Sequence, residues 1–306
     1  MGKEKYILAI DQSTSGTKVL LVNTSGQINH KCSGSHTQYY PQTGWVEHDP
    51  DEIYENVKNL LKELLQTSGA CQEELAVLAI TNQRETVVVW DKETGMPIYN
   101  AIVWQDRRTS DFCKELKVQG YEDMIQSKTG LKADPYFSAS KISWILDHVD
   151  GARDKAREGK LLVGTIDSWL IWKLTSGKVH ATDFSNASRT LLFNIDTLQW
   201  DDELLDLFDI PRTMLPVVKS SNEIFGATED RTLPFIDLPI SGIIGDSQGA
   251  LFGQKCFEPG MAKATYGTGT SVMMHTGELV NGTNGLVTSI AWGLNGQVEY
   301  ALEGII

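Results

Sequence analysis

An aspartate closes the apolar run of Ile243-Ile244-Gly245-Asp246-Ser247-Gln248-Gly249-Ala250-Leu251-Phe252-Gly253. The run from Ile240 to Ile244 reads as the end of a buried strand, and Ser247 to Phe252 suits a first helical turn. Gly245 is read as the residue that lets the chain turn between them. A carboxylate at such a junction is fixed in direction and open to a ligand. If a hydroxyl docks there, Asp246 can take its proton during attack on a phosphoryl group. Taken alone, Asp246 would as readily cap the helix.

Two other stretches suit phosphate. Asp11-Gln12-Ser13-Thr14-Ser15-Gly16-Thr17, with Lys18 after it, is a polar turn between the strands Tyr6 to Ile10 and Lys18 to Val22. Small hydroxyl residues and a glycine at a hairpin tip expose N–H groups that can hold phosphate oxygens. Asp11, at a strand end, can hold Mg²⁺ through water. The second stretch, Gly267-Thr268-Gly269-Thr270-Ser271, follows Met261 to Tyr266 and precedes Val272-Met273-Met274. Leu286 to Trp292 and Val298 to Leu302 add strands around the turn Leu294-Asn295-Gly296. Two copies of one plan predict two related lobes facing each other over a nucleotide. Either tip alone is also an ordinary β-turn.

The elements between position these groups. Asp49-Pro50-Asp51-Glu52 opens a helix, with Asp49 as N-cap, Pro50 in the first turn and Glu52 as the third residue of a capping box. Ile53, Val57, Leu60, Leu61 and Leu64 follow at helical spacing, and Gly69 ends it. Leu75 to Ile80 is a buried strand that runs into Thr81-Asn82-Gln83-Arg84-Glu85-Thr86, then Val87 to Trp90. Residues 109–200 read as mostly helical, with amphipathic pieces at Ile142 to Val149 and Asp167 to Leu174. Gly164 to Ser168 and Arg212 to Pro216 read as loops. Strands alternating with helices predict an α/β architecture.

Composition bounds the function. The 306 residues carry a net charge of −13, with 41% hydrophobic and 22% charged residues. That balance argues against a general nucleic-acid binder and against docking on anionic lipid. Cys32, Cys71, Cys113 and Cys256 are scattered, which predicts free thiols and a cytoplasmic setting. No apolar run is long enough for a leader or a membrane span.

Taken in order, several stretches are specific. They are Gly44-Trp45-Val46-Glu47-His48-Asp49-Pro50, Ile80 to Thr86, Tyr99-Asn100-Ala101-Ile102-Val103-Trp104-Gln105, Asp134-Pro135-Tyr136-Phe137-Ser138, Ala181 to Thr190, and Tyr266-Gly267-Thr268-Gly269. On these the chain resembles the FGGY carbohydrate kinases, and their glycerol-phosphorylating branch most closely, over essentially its whole length. The resemblance implies an actin-like ATPase fold of ribonuclease-H-like domains, with ATP and Mg²⁺ in the cleft and phosphoryl transfer to a terminal hydroxyl of a small polyol or sugar. It implies Asp246 as the catalytic base, and Asp11 and Asp246 as the carboxylates near the metal. Arg84, Glu85, Trp104, Tyr136, Asp246, Ser247 and Ser271 are then the polyol site. Ser13, Thr14, Ser15, Lys18, Gly267, Thr268 and Gly269 are the nucleotide contacts.

Four positions depart from that branch: Ser13, Lys18, Ser247 and Ser271 stand where Gly, Arg, Gln and Phe are usual. Small residues at 247 and 271 are expected to widen the pocket, so a four- or five-carbon polyol or ketose is expected to compete with glycerol. A non-catalytic actin-like nucleotide clamp is the rival from another class, and it would have no need of Asp246 or the Arg84-Glu85 pair. Residues 1–254 are expected to form the first domain and 255–306 only the opening strands of the second, with the adenine-binding segment beyond Ile306. The complete protein is expected to be a homo-oligomer.

Overall fold

The structure, a computed structural model, describes residues 5–266 and 270–305. Its largest sheet has six strands in the spatial order Ile224–Ala227, Pro239–Gly245, Leu75–Asn82, Tyr6–Ser13, Gly16–Asn23 and Ile28–Ser35. Tyr6–Ser13, Leu75–Asn82 and Pro239–Gly245 run parallel; the remaining neighbours are antiparallel. Leu8 and Ile10, Val19 and Leu21, and Leu78 and Ile80 alternate with more exposed residues along their strands and are buried on one face.

The helix Pro50–Ser68 covers that face with Ile53, Val57, Leu60, Leu61 and Leu64, the residues its periodicity singled out. Trp169, from the helix Ile166–Leu174, donates its indole N–H to the Pro50 carbonyl at 2.8 Å and joins the same core. Asp49 caps Pro50–Ser68 as expected, accepting from the N–H groups of Asp51 and Glu52, and Gly69 ends it at φ 72°. The capping box is only half made. Glu52 turns away and accepts instead from the N–H and hydroxyl of Thr37, so it ties the helix to the segment after the third strand.

A second, antiparallel sheet runs Glu47–His48, Ala101–Ile102, Val87–Asp91 and Leu161–Thr165. Its core includes Val87, Val89, Ile102 and Val163, closed by the helices Ser110–Val118, Glu122–Thr129, Ser138–His148, Ala152–Arg157 and Asp202–Phe208. Three expectations shift here. Gly164 and Thr165 belong to a strand, not a loop, because they pair with Val88 and Val87. The helix Ile166–Leu174 is buried nearly all round rather than amphipathic, because it lies between the two sheets. Arg212–Met214 forms a short 3-10 turn rather than a plain loop.

The last sheet has four antiparallel strands in the order Ala262–Tyr266, Thr270–Gly277, Gln297–Ile305 and Val287–Leu294. Its first hairpin repeats the plan of the N-terminal one. The third place differs from Ile28–Ser35: the later strand Gln297–Ile305 takes it, and Val287–Leu294 lies outside. The turn between those two strands is made by Asn295 and Gly296, both with positive φ (52° and 81°), as a two-residue hairpin favours. Met273, Ala291, Trp292 and Ala301 form this sheet's core, and Leu251 of the helix Asp246–Gly253 plugs it. No helix among the described residues is long and apolar enough to cross a membrane.

The Asp49 cap generates a stability test. Asp49→Ala in the complete protein is expected to cost about 1 kcal/mol (roughly 0.5–2) in denaturant unfolding. Glu52→Ala should leave the cap itself intact, and an equal loss from both would refute the split roles.

Candidate active site

The three parallel strands end together at Ser13, Asn82 and Gly245, and a cleft of about 410 Å³ opens beside their C-terminal ends. Asp11, Thr81, Asp246 and Gly249 line it. Carboxyl ends of parallel strands are where open α/β sheets bind ligands. Asp246 is the first residue of the helix Asp246–Gly253, with Gly245 in the cap position. Its carboxylate accepts from the Ser247 N–H at 2.7 Å, and its side chain is 40% exposed to the cleft. Burial of its surroundings raises its carboxyl above the usual Asp range, and Arg84 opposes that rise.

Gly245 is needed for a different reason than expected. Its backbone is extended (φ −61°, ψ 149°), which any residue adopts. A Cβ there would stand 2.8 Å from Cγ and 2.9 Å from Cδ of Arg84. The glycine lets the Arg84 side chain lie across the strand end.

The residues Asn82 to Thr86 aim Arg84 and Glu85. Glu85 has φ 61°, and the N–H of Thr86 bonds back to the Arg84 carbonyl at 2.7 Å. A non-glycine residue held there is strained, and the surroundings must over-determine it. They do: Ser138 donates to the Glu85 carbonyl at 3.0 Å, and Arg189 Nε donates to its carboxylate at 2.6 Å. The short helix Phe184–Ala187 is the hub. Asp183 caps it, Asn186 bonds Asn82, and Ser185 Oγ accepts from the Gly245 N–H at 2.9 Å. One turn of helix thereby sets both the Arg84-Glu85 turn and the Gly245-Asp246 junction.

Arg84 is 4% exposed and reaches three carboxylates. Nε lies 3.3 Å from Asp246 and 3.9 Å from Glu85; Nη1 and Nη2 bond both oxygens of Glu303 at 3.1 and 2.8 Å. Arg189 also reaches Glu303, at 2.8 Å. Burial alone would push the Glu303 carboxyl up, but Arg189 and Arg84 outweigh it and hold it well below the usual range. Burial raises the Glu85 carboxyl against the pull of the same two arginines. Lys263, 1% exposed, donates to Ser247, Thr265 and Ser271 at 3.2, 3.0 and 3.3 Å. Ser271 in turn donates to Glu303 at 2.8 Å.

The expected polyol residues converge. Tyr136 Oη stands 3.5 Å from Arg84 Nη2, and the Tyr136 ring meets Trp104 edge-on at 5.4 Å. Trp104 also donates its indole N–H to Thr14 Oγ1 at 2.8 Å, so a residue expected to contact phosphate touches one expected to contact polyol. The hairpin tip is fixed from behind, because Gln38 donates to the Thr14 carbonyl and bonds His48. Ser13 and Thr14 are half-buried and Ser15 exposed; Lys18 pairs with Asp11 at 2.9 Å. Gly267, Thr268 and Gly269 lie outside the described residues.

Asp11, Asp246 and the buried, unpartnered hydroxyl oxygen of Thr81 suit a hydrated cation with phosphate oxygens. Among the described residues no three His, Cys, Asp or Glu side chains gather around one metal position. Mg²⁺ held by one or two carboxylates, with water and phosphate completing its shell, needs no such group.

Sequence reasoning missed Glu303, Lys263 and Arg189. Lys263, Met273, Glu303 and Val287 meet in one row only through the register of the last sheet, and the local signal was a charge within each apolar strand. A charge at an inward strand position is rare without a partner.

A six-stranded mixed sheet with a cleft beside its strand ends, an aspartate at the cleft's mouth and a hydroxyl-rich hairpin tip on the same sheet is the plan of a ribonuclease-H-like domain of the actin-like fold. Residues 6–253 match the FGGY family of carbohydrate kinases, N-terminal domain, and the chain belongs to that family. It is 55% identical to the glycerol kinase of Alkaliphilus metalliredigens over 304 residues, covering 99% of this chain and 61% of that protein. The glycerol kinase of Thermus thermophilus is 55% identical over 303 residues, with the same coverage. Plasmodium falciparum glycerol kinase with ADP superposes with a TM-score of 0.95 at 41% identity, covering 100% of this chain and 62% of that one. Gluconate kinase from Lactobacillus acidophilus, with a TM-score of 0.88 at 21% identity over 99% of this chain and 60% of that one, shares the fold. The chain spans about three-fifths of the length of the curated relatives it matches.

The loop that carries Tyr136 rests on Lys141, which is fully buried and donates to the carbonyls of Pro135 and Phe137. Burial pushes its ammonium down to about 8, against the pull of Asp106. The unfolded chain therefore holds a proton that the folded chain releases between about pH 8 and 10.5. Stability from this group rises with pH across that window, by on the order of 3 kcal/mol. The Tm of a Lys141→Met variant minus that of the wild type should accordingly fall as pH goes from 7.5 to 10. A flat difference would show that Lys141 keeps its ordinary proton affinity.

Proposed function

We propose that the complete protein transfers the γ-phosphoryl group of ATP to a terminal hydroxyl of glycerol, giving glycerol 3-phosphate, with Asp246 as general base. The relatives named above are glycerol kinases, which supports the substrate. The observation that carries the mechanism is the placing of Asp246: partly exposed in the cleft shared with Asp11, with Arg84 Nε at 3.3 Å. Arg84 donates to polyol oxygens, Glu85 accepts from a hydroxyl, and Trp104 and Tyr136 cover the C–H edges. Asp246 takes the proton of the attacking hydroxyl.

Ser13, Thr14, Ser15 and Lys18 hold phosphate oxygens, and Gly267, Thr268 and Gly269, which lie outside the described residues, are assigned the same role. Asp11 and Asp246 would hold Mg²⁺, which neutralises charge on the transferring phosphoryl group. Catalysis in such a reaction is mostly positioning and charge neutralisation, and a clamp that only bound nucleotide would need neither Asp246 nor the Arg84-Glu85 pair. A division into a first domain through residue 254 and a second from 255 accompanies this reading, as do a cytoplasmic location, which four scattered cysteines without a disulfide among the described residues favour, and a homo-oligomeric complete protein.

The expectation of a larger substrate loses its ground. Ser247 and Ser271 both accept from the ammonium of Lys263, so their hydroxyls are already engaged rather than free to meet the extra hydroxyls of a longer polyol. Glycerol is the substrate that fits this arrangement.

Two measurements test the proposal. Asp246→Asn in the complete protein is expected to leave nucleotide affinity within a few fold and lower turnover by roughly 10²-fold or more. Near-normal turnover of the purified variant would remove Asp246 as base. For the substrate, kcat/KM for glycerol should exceed that for erythritol, xylitol and xylulose by at least about 10- to 200-fold. Parity with any of them would mean that these engaged hydroxyls do not disfavour a longer polyol.

A further inference from the structure

The charged cluster around Arg84 holds a closed ring of contacts. From Arg84, two bonds reach Glu303. Glu303 accepts from Ser271, Ser271 from Lys263, and Lys263 also donates to Ser247. Ser247 follows Asp246 in the chain, and Asp246 returns to Arg84 Nε at 3.3 Å. Arg84, Ser247 and Asp246 belong to the part of the chain built on the six-stranded sheet. Lys263, Ser271 and Glu303 belong to the last sheet.

A guanidinium is planar and carries five donors, so its orientation is fixed once two edges are engaged. Glu303 engages Nη1 and Nη2 together, and Gln248 adds a bond to Nη1 at 3.2 Å. That leaves the Nε edge toward Asp246. Glu303 also serves a second buried arginine, since Arg189 Nη2 lies 2.8 Å from the Oε2 atom that Arg84 Nη1 engages. Over the whole cluster the formal charges cancel: Arg84, Arg189 and Lys263 against Glu85, Asp246 and Glu303.

We propose that Glu303 is a positioning residue for polyol phosphorylation: it fixes the Arg84 guanidinium with its Nε edge toward Asp246, so that the last sheet completes the polyol site of the six-stranded sheet. This rests on the polyol kinase reading above. The nucleotide contacts proposed at Ser13, Thr14, Ser15 and Lys18 make no bond to Glu303, so that part of nucleotide binding is served separately.

The test is steady-state kinetics of the complete protein with glycerol and ATP varied independently, in Glu303→Gln, Glu303→Asp and Ser271→Ala. Glu303→Gln keeps the shape and removes the charge; it should raise KM for glycerol about tenfold or more while KM for ATP stays within about threefold. Glu303→Asp, which keeps the charge on a shorter arm, should recover part of that loss. Ser271→Ala leaves the Arg84–Glu303 pair in place and should raise KM for glycerol only about two- to fivefold; it also decides the matter if Glu303→Gln does not fold. The proposal is overturned if both KM values rise in equal proportion, or if KM for glycerol is unchanged in folded variants. A wild-type protein that phosphorylates no polyol would sink the kinase reading and this proposal together; an active wild type with indifferent variants sinks this proposal alone.

Discussion

Two arginines, Arg84 and Arg189, are buried beside one another, and everything around the cleft follows from neutralising them. A guanidinium cannot shed its proton in a protein, so each must find carboxylates or stay in water. Glu85 and Glu303 supply them, at distances of 2.6 to 3.1 Å. Breaking a buried pair by removing one partner typically costs about 3–5 kcal/mol, because a bare charge remains. That penalty binds the turn at Glu85 to the helix Phe184–Ala187 and to the last sheet. The strained φ of Glu85 is held in place by the same contacts.

The same constraint divides labour between aspartates. Asp183 is fully buried and spends its oxygens on the N–H groups of Ser185 and Asn186 and on the hydroxyls of Ser185 and Ser221. It has nothing left for a ligand, and its work is to fix the hub helix. Asp246 makes one short backbone bond, faces Arg84 Nε at 3.3 Å, and otherwise opens on the cleft. Two residues of one type, both beside short helices, thus differ in what they leave open: Asp183 is saturated, whereas Asp246 keeps an edge toward the cleft. What separates them is how many donors the surrounding backbone already offers.

Much of this was legible in the sequence because it is local. The Asp49 cap, the Pro50–Ser68 apolar stripe and the strand-to-helix junction at Asp246 all depend on residues within a few positions of one another. The reason for Gly245 was not local: the obstacle to a side chain there is Arg84, far away in the chain. Glu52 was misread for the same cause, since its partner Thr37 lies on a separate segment and competes with the cap. The cluster at Glu303 depends on register across the last sheet, and a single strand such as Tyr300 to Ile305 does not disclose which neighbour its carboxylate meets.

Ser247 and Ser271 carry the broader lesson about pocket size. Shortening two side chains predicts space only if the rest of the wall stays as it was. Here the ammonium of Lys263 bonds both hydroxyls, so two small residues and a long one make one bonded group. The substitution also changes the character of that wall. An apolar ring would have turned a face toward the substrate, whereas Lys263, Ser271 and Glu303 present fixed charges and bonded hydroxyls that are already committed to one another. A polar group already paired gives little to an extra hydroxyl of a longer polyol, because any new bond would displace an existing one. Saturated hydrogen bonds, rather than an aromatic face, thus characterise the wall that Lys263, Ser271 and Glu303 form.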